Sequence, residues 1–182
     1  MLKEDIKSIS NITYKKNTID SYSIHFNNDE ARWRCMWAIV NIDSDTWTFS
    51  ATSDCGNYSY RWSYEDDRTF KKFLTTLNQS YFLSKISDET EVDEKETIIR
   101  MKEYCLEQRR EYSLSKEKAR EIYDNIVDLE NGYYDEDFEH GVYNKLGYDY
   151  LDFIVKTYPN GAITFYEVVF KKLQDILRSE GE

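Results

Sequence analysis

The spacing of apolar residues changes once along this chain, near residue 65, and that change bounds what the chain can fold into. Before it, apolar residues recur at every second position. "TIDSYSIHF" (18–26) puts Tyr22, Ile24 and Phe26 on one face. "RWRCMWAIV" (32–40) sets Trp33, Cys35, Trp37 and Ile39 against Arg32, Arg34 and Met36. After a turn cluster, "DSDT" (43–46), the run "TWTFSAT" (46–52) sets Trp47, Phe49 and Ala51 against threonines and a serine. "SDCGNYSYRW" (53–62) then places Tyr58, Tyr60 and Trp62 at alternate positions behind a Gly-Asn pair. Four short alternating runs separated by turn residues predict an antiparallel meander with one face wet. On this reading the three aromatics line the buried face. A base-stacking platform would need cations around it, and Arg32, Arg34 and Arg61 are the candidates.

From residue 65 the apolar spacing is helical. "DDRTFKKFLTTL" places Phe70, Phe73, Leu74 and Leu77 on one helix face, with acids at its start that suit the helix dipole. "NQSYFLSKIS" (78–87) extends that helix or adds a short turn, and 88–97 is a charged, exposed lead into the next. Ile98, Met101 and Cys105 form a thin stripe. Ser115 is a candidate N-cap before the stripe Ala119, Ile122, Tyr123 and Ile126, which Gly132 stops. Phe138, Val142, Leu146 and Phe153 follow, with a break expected near Gly141 or Gly147. After the turn "YPNG" (158–161), Phe165, Val169, Leu173 and Ile176 share the face of a closing helix. Strands first and helices after predict an α+β fold: an N-terminal antiparallel sheet of about four strands packed by a helix, then a mainly helical C-terminal half. The expected division is 1–87 and 88–182, or one continuous domain.

The net charge is −11, and it is unevenly placed. Residues 1–86 are neutral. Within 121–152 stand Glu121, Asp124, Asp128, Glu130, Asp135, Glu136, Asp137, Glu139, Asp149 and Asp152, opposed only by Lys145. Such a field repels nucleic acid and favours a basic protein surface; a solvated helix face that keeps the protein soluble is the plainer alternative. The basic residues make no nucleic-acid footprint, so direct duplex binding is not expected. No apolar run nears the roughly 18 residues of a membrane span, and "MLKEDIKSIS" lacks a signal-peptide core, so a cytoplasmic protein is expected.

Chemistry-bearing motifs are sparse. The six glycines form no phosphate loop. Cys35, Cys55 and Cys105, spaced by 20 and 50, match neither a zinc pattern nor an even disulfide set, and reduced structural thiols are expected. His25 lies in a strand and reads as structural. In "YYDEDFEHGVY", Glu136 and His140 stand at i, i+4, the spacing at which a helix can offer two ligands to one metal. They are the only catalytic candidates, for a Mg²⁺-dependent nuclease; otherwise no cofactor and no metal is expected.

Two segments carry a resemblance. "SDCGNYSYRWSYEDDRTFKKFLTTLNQSYFLSKIS" (53–87) resembles a recurrent block of small bacteriophage and prophage proteins, and "YDYLDFIVKTYPNGAITFYEVVFKKL" (148–173) is similar to their tail. Small acidic phage proteins of this kind include anti-CRISPR and other anti-defence proteins. The resemblance implies a setting in the bacterial host cytoplasm. It also implies a partner: a Cas9-type CRISPR effector, alone or with its guide RNA, whose basic channel an acidic surface would occupy. Asp124, Asp128, Glu130, Asp135, Glu136, Asp137 and Glu139 are the expected contacts, with Tyr133 and Tyr134 as aromatic anchors. The competing expectations are the nuclease, truncating guide RNA, and an accessory or immunity-type protein that binds another host factor.

Overall fold

The computed structural model describes residues 7–9, 12–14, 16–26, 35–63, 68–88 and 90–181. Trp33, Arg32, Arg34, Asp66 and Asp67, named above, lie outside them. The protein is α+β. It divides into two compact units: residues 1–88 with 159–182, and residues 89–158. Among the described residues, no helix is long and apolar enough to cross a membrane.

In the first unit β1 (Lys7–Ile9) pairs antiparallel with β2 (Ile12–Tyr14). A four-stranded antiparallel meander follows: β3 (Asp20–His25), β4 (Trp37–Asp43), β5 (Thr48–Ser53) and β6 (Gly56–Arg61). Register puts Val40 opposite Ala51 and Ala51 opposite Tyr58; in the next row Ile42 faces Phe49 and Phe49 faces Tyr60. Those rows form the buried face, with Phe49, Val40 and Ile42 wholly enclosed. The alternation expected through 32–40 is shifted in β4. Ala38, Val40 and Ile42 point inward, while Ile39 is 42% exposed and Trp37 half-buried. Apolar residues occupy both faces of that run, so the register with Phe49 and Ala51, not spacing, decides which set is buried. Trp47 sits in the β4–β5 turn with φ 55°, its ring 5.2 Å from Phe70 and 5.5 Å from Phe73. His25 ends β3 with an exposed side chain rather than sitting within the sheet's packing.

Two short helices cross this face. In α1 (Phe70–Leu74) the Thr69 side chain caps the Lys72 amide; in α2 (Gln79–Ile86) Asn78 caps Tyr81. Asn78 makes α2 a separate helix rather than an extension, because an N-cap has extended backbone and breaks the preceding turn. The closing helix runs through α6 (Asn160–Thr164), a π-helical turn (Phe165–Phe170) and α7 (Lys171–Glu180). Sequence order grouped it with the acidic half; in the structure it belongs to the first unit. Its aromatic stripe matches an aromatic core: Phe165 and Phe170 lie 6.3 and 5.9 Å from Phe49, and Phe170 stacks on Phe82 at 3.7 Å. The wider π turn broadens the stripe to Phe165, Tyr166, Val169, Phe170, Leu173 and Leu177, and Ile176 is only half-buried.

Gln174, 5% exposed, joins the closing helix to the end of α1. Its Nε2 donates to the Leu74 and Leu77 carbonyls, both at 2.9 Å. The Leu74 carbonyl ends α1 and also accepts the Leu77 amide at 3.3 Å, and the Leu77 carbonyl also accepts the Tyr166 hydroxyl at 3.5 Å, so Gln174 completes two partly satisfied acceptors. Gln174→Leu is expected to cost about 1–3 kcal/mol in urea unfolding, since it keeps the bulk and removes the shorter of the two hydrogen bonds at each buried carbonyl.

In the second unit β7 (Glu91–Val92) pairs with β8 (Lys156–Thr157) and closes a helical loop: α3 (Glu94–Arg110), α4 (Lys116–Glu130), α5 (Phe138–Leu146) and a 3₁₀ helix (Tyr148–Phe153). Asp93, Ser115 and Asp137 cap α3, α4 and α5. The charged stretch 88–97 thus holds a strand and a cap. Gly132 (φ 78°) follows α4, and Gly147 (φ 94°) ends α5, a backbone region that glycine enters freely. Met101, Ile126, Leu129 and Val142 anchor the core, and Thr97, fully buried, accepts from the Val155 amide at 3.0 Å. Burial, with smaller contributions from nearby Cys105, Tyr104 and Asp149, pushes the Tyr150 phenol from 10.0 up to about 12. A group with a raised folded value stabilises fully below its unfolded value and loses that contribution as pH rises through the folded one. The urea midpoint is therefore expected to fall between pH 10 and 12, and to fall less in Tyr150→Phe.

Candidate partner-binding surface

The expected contact residues all lie in the second unit, on α4, α5 and the loop between them. They have unequal roles. Asp137 caps α5, its Oδ1 accepting the His140 amide at 2.9 Å. Asp128 meets Lys145 at 3.1 Å and Glu130 meets Lys102 at 2.5 Å. Glu139 is bonded to Lys156. Tyr134 is half-buried: its ring packs edge-on against Phe138 at 5.9 Å, and its hydroxyl donates to the Glu94 carboxylate at 3.3 Å. It is a packing residue rather than a projecting anchor, and Gly141 fits beneath it, where an added Cβ would come 2.6 Å from the Tyr134 Cβ.

What remains outward is smaller. Tyr133 is 66% exposed. Asp135 and Glu136 follow it in an exposed bend, without a lysine or arginine partner among the described residues. Asp124 stands one α4 turn after Arg120 in a loose 3.9 Å pair with both side chains open, worth little in water. The sequence counted Lys145 as the only opposing cation within 121–152. The fold brings in Lys102 and Lys156 from outside that window, so the field is partly neutralised where α4 and α5 face α3 and β8. Asp135 and Glu136 in the Tyr133–Glu136 bend make no such pair with a lysine or arginine among the described residues. For the unit as a whole, 19 Asp and Glu face 10 Lys and Arg, so −9 of the total −11 lies there.

Glu136 and His140 were expected one turn apart on a helix. Helix α5 starts at Phe138, so Glu136 precedes it; its Oε2 still reaches His140 Nε2 at 3.6 Å. The imidazole borders an open groove of about 780 Å³ with Glu91, Glu94, Asp137, Glu139 and Tyr143. Of these carboxylates, Glu139 holds Lys156 and Glu94 holds the Tyr134 hydroxyl. The pair offers two donor atoms. Among the described residues, three potential ligands converge elsewhere, in the first unit, at Cys35, Asp54 and Cys55. Spacing hid that cluster, because Cys35 and Cys55 are 20 residues apart and meet only through the meander register.

These features define a two-unit α+β protein whose acidic helical unit carries an exposed tyrosine–carboxylate loop. Residues 7–179 match the phage family Phage_phiTE_072, and the chain belongs to that phage family. No curated protein and no solved structure matches it.

Proposed function

We propose that this phage-family protein is a stoichiometric anti-defence inhibitor. In this reading its 89–158 unit presents an acidic surface to the basic nucleic-acid channel of a Cas9-type CRISPR effector. The observation that carries the reading is the segregation of charge: one unit holds −9, and Asp135 and Glu136 follow the exposed Tyr133 in a loop where neither pairs with a lysine or arginine among the described residues. An exposed aromatic with neighbouring carboxylates, desolvated on binding, is suited to a surface rich in lysine and arginine. A channel that grips nucleic acid through its backbone is such a surface. The same field opposes direct binding to a duplex.

The test is a Cas9 cleavage assay with the protein titrated in and guide length followed in the same tubes. Loss of cleavage with intact guide, saturating near one equivalent and relieved by salt, supports the inhibitor. Shortened guide at substoichiometric protein overturns stoichiometric binding and directs attention to Glu136 and His140. No effect on either overturns the Cas9-type partner and leaves another host factor as the target of the acidic loop.

A further inference from the structure

We propose that the β5–β6 turn is a metal site: Cys35 Sγ, Cys55 Sγ and an Asp54 carboxylate oxygen bind one zinc-type divalent cation, leaving a fourth position to water. The three ligand atoms lie within 4.8 Å of one another, and Cys35 Sγ is 3.0 Å from Asp54 Oδ1. Tetrahedral zinc, with bonds of about 2.3 Å to sulfur and 2.0–2.2 Å to oxygen, spaces its ligand atoms by roughly 3.5–3.8 Å. The triad therefore needs side-chain adjustment only. Two sulfurs and one carboxylate also match the ligand preference of a borderline-soft cation.

The supporting shell is built. Asp54 Oδ2 accepts the Met36 amide at 2.7 Å, and Oδ1 the Trp37 amide at 3.4 Å, which fixes the carboxylate at the head of β4. Ser53 Oγ accepts the Cys55 amide at 3.2 Å and donates to the Gly56 carbonyl at 2.9 Å. The Tyr58 hydroxyl donates to the Cys55 carbonyl at 2.8 Å. Gly56 takes φ 135°, and Gly161 of α6 lies so close that an added Cβ would come 2.5 Å from that carbonyl. Such outer contacts orient metal ligands and are a large part of their affinity. Burial is graded: Cys35 is 1% exposed, Cys55 half-buried and Asp54 exposed, so an ion enters from the Asp54 side.

Burial, then the neighbouring Cys55 thiol and Asp54, push Cys35 far up from 9.0. Burial also raises Asp54, but hydrogen bonds from the Cys35 thiol and from the Met36 and Trp37 amides outweigh it and hold the carboxyl below 3.8. A divalent ion reverses the situation at Cys35: two metal–sulfur bonds form, each thiol releases its proton to solvent, and no electron is transferred.

The experiment titrates Co²⁺ into full-length protein, stripped of metal and reduced with a phosphine. Expected are a thiolate-to-cobalt charge-transfer band saturating at one equivalent, its displacement by Zn²⁺, and tighter binding as pH rises. The band should vanish in Cys35→Ser and in Cys55→Ser and persist in Cys105→Ala, whose thiol lies in the other unit. Asp54→Asn keeps both thiols and should keep the band while binding more weakly, since it removes one of the three ligands. No band in the reduced wild type overturns the site, whatever the variants do. So does a band that survives loss of both Cys35 and Cys55. A reduced protein that ignores Co²⁺ but forms a Cys35–Cys55 disulfide with peroxide also overturns it, in favour of a redox pair.

Discussion

Replacing Asp124, Asp135 and Glu136 together by lysine is expected to weaken partner binding by on the order of 100-fold or more while leaving the fold intact. The choice of three follows from the geometry. Asp128, Glu130 and Glu139 hold Lys145, Lys102 and Lys156, and their reversal would place like charges in contact. Asp137 caps α5, so its loss would act on the helix first. Asp124 makes only the loose pair with Arg120, and Asp135 and Glu136 lie in the open bend beside Tyr133. Against the proposed basic channel, their reversal would turn attraction into repulsion, and the loss should appear mainly in the association rate and its salt dependence. Surface plasmon resonance at two salt concentrations reads the change, and far-UV circular dichroism reads the fold. Unchanged affinity in a folded triple variant would remove the acidic loop from the interface. Tyr133→Ala tests the anchor by dissociation rate instead, since an aromatic buried on binding acts after encounter.

The difference between the nine residues expected and the few left available shows where sequence reading stops. Spacing located the helices: Ser115 caps α4, and Met101, Ile122 and Ile126 are buried as their periodicity predicts. Alternation located β5 and β6, where one face is plainly apolar. It misplaced the inward set in β4, where Trp37 and Ile39 compete with Ala38 and Val40 and only cross-strand register decides. Charge counting in a window could not see Lys102 or Lys156, because ion pairs across 28 and 17 residues are tertiary facts. The cysteines gave no signal for the same reason. Their 20-residue separation fits no local ligand motif, and a meander supplies the proximity that a short motif would otherwise encode. The return of the closing helix to the first unit was hidden likewise, although its aromatics, Phe165, Tyr166 and Phe170, were a clue that it shares a core with Phe49 and Phe82 rather than with the aliphatic stripe of α4.

Phe82→Ala is expected to cost about 3–5 kcal/mol, a large share of the roughly 5–15 kcal/mol that holds a domain folded. Phe82 is wholly buried on α2 and stands where three elements meet. Its ring stacks on Phe170 at 3.7 Å, meets Phe49 of β5 edge-on at 5.5 Å, and lies 6.5 and 5.8 Å from Phe165 and Tyr166. Truncation removes contacts to the sheet and to the closing helix at once, and aromatic neighbours held by backbone on three sides cannot collapse far into the void. Phe82→Leu refills much of that volume and should cost less. The readout separates this effect from anything in the acidic unit. All four tryptophans of the chain, Trp33, Trp37, Trp47 and Trp62, lie in residues 1–88, so tryptophan fluorescence reports the first unit while circular dichroism sums both. The fluorescence-detected denaturation midpoint should fall sharply in Phe82→Ala. A shift worth less than about 1 kcal/mol would mean that the aromatic layer is loosely packed, since a well-filled core cannot lose a ring so cheaply.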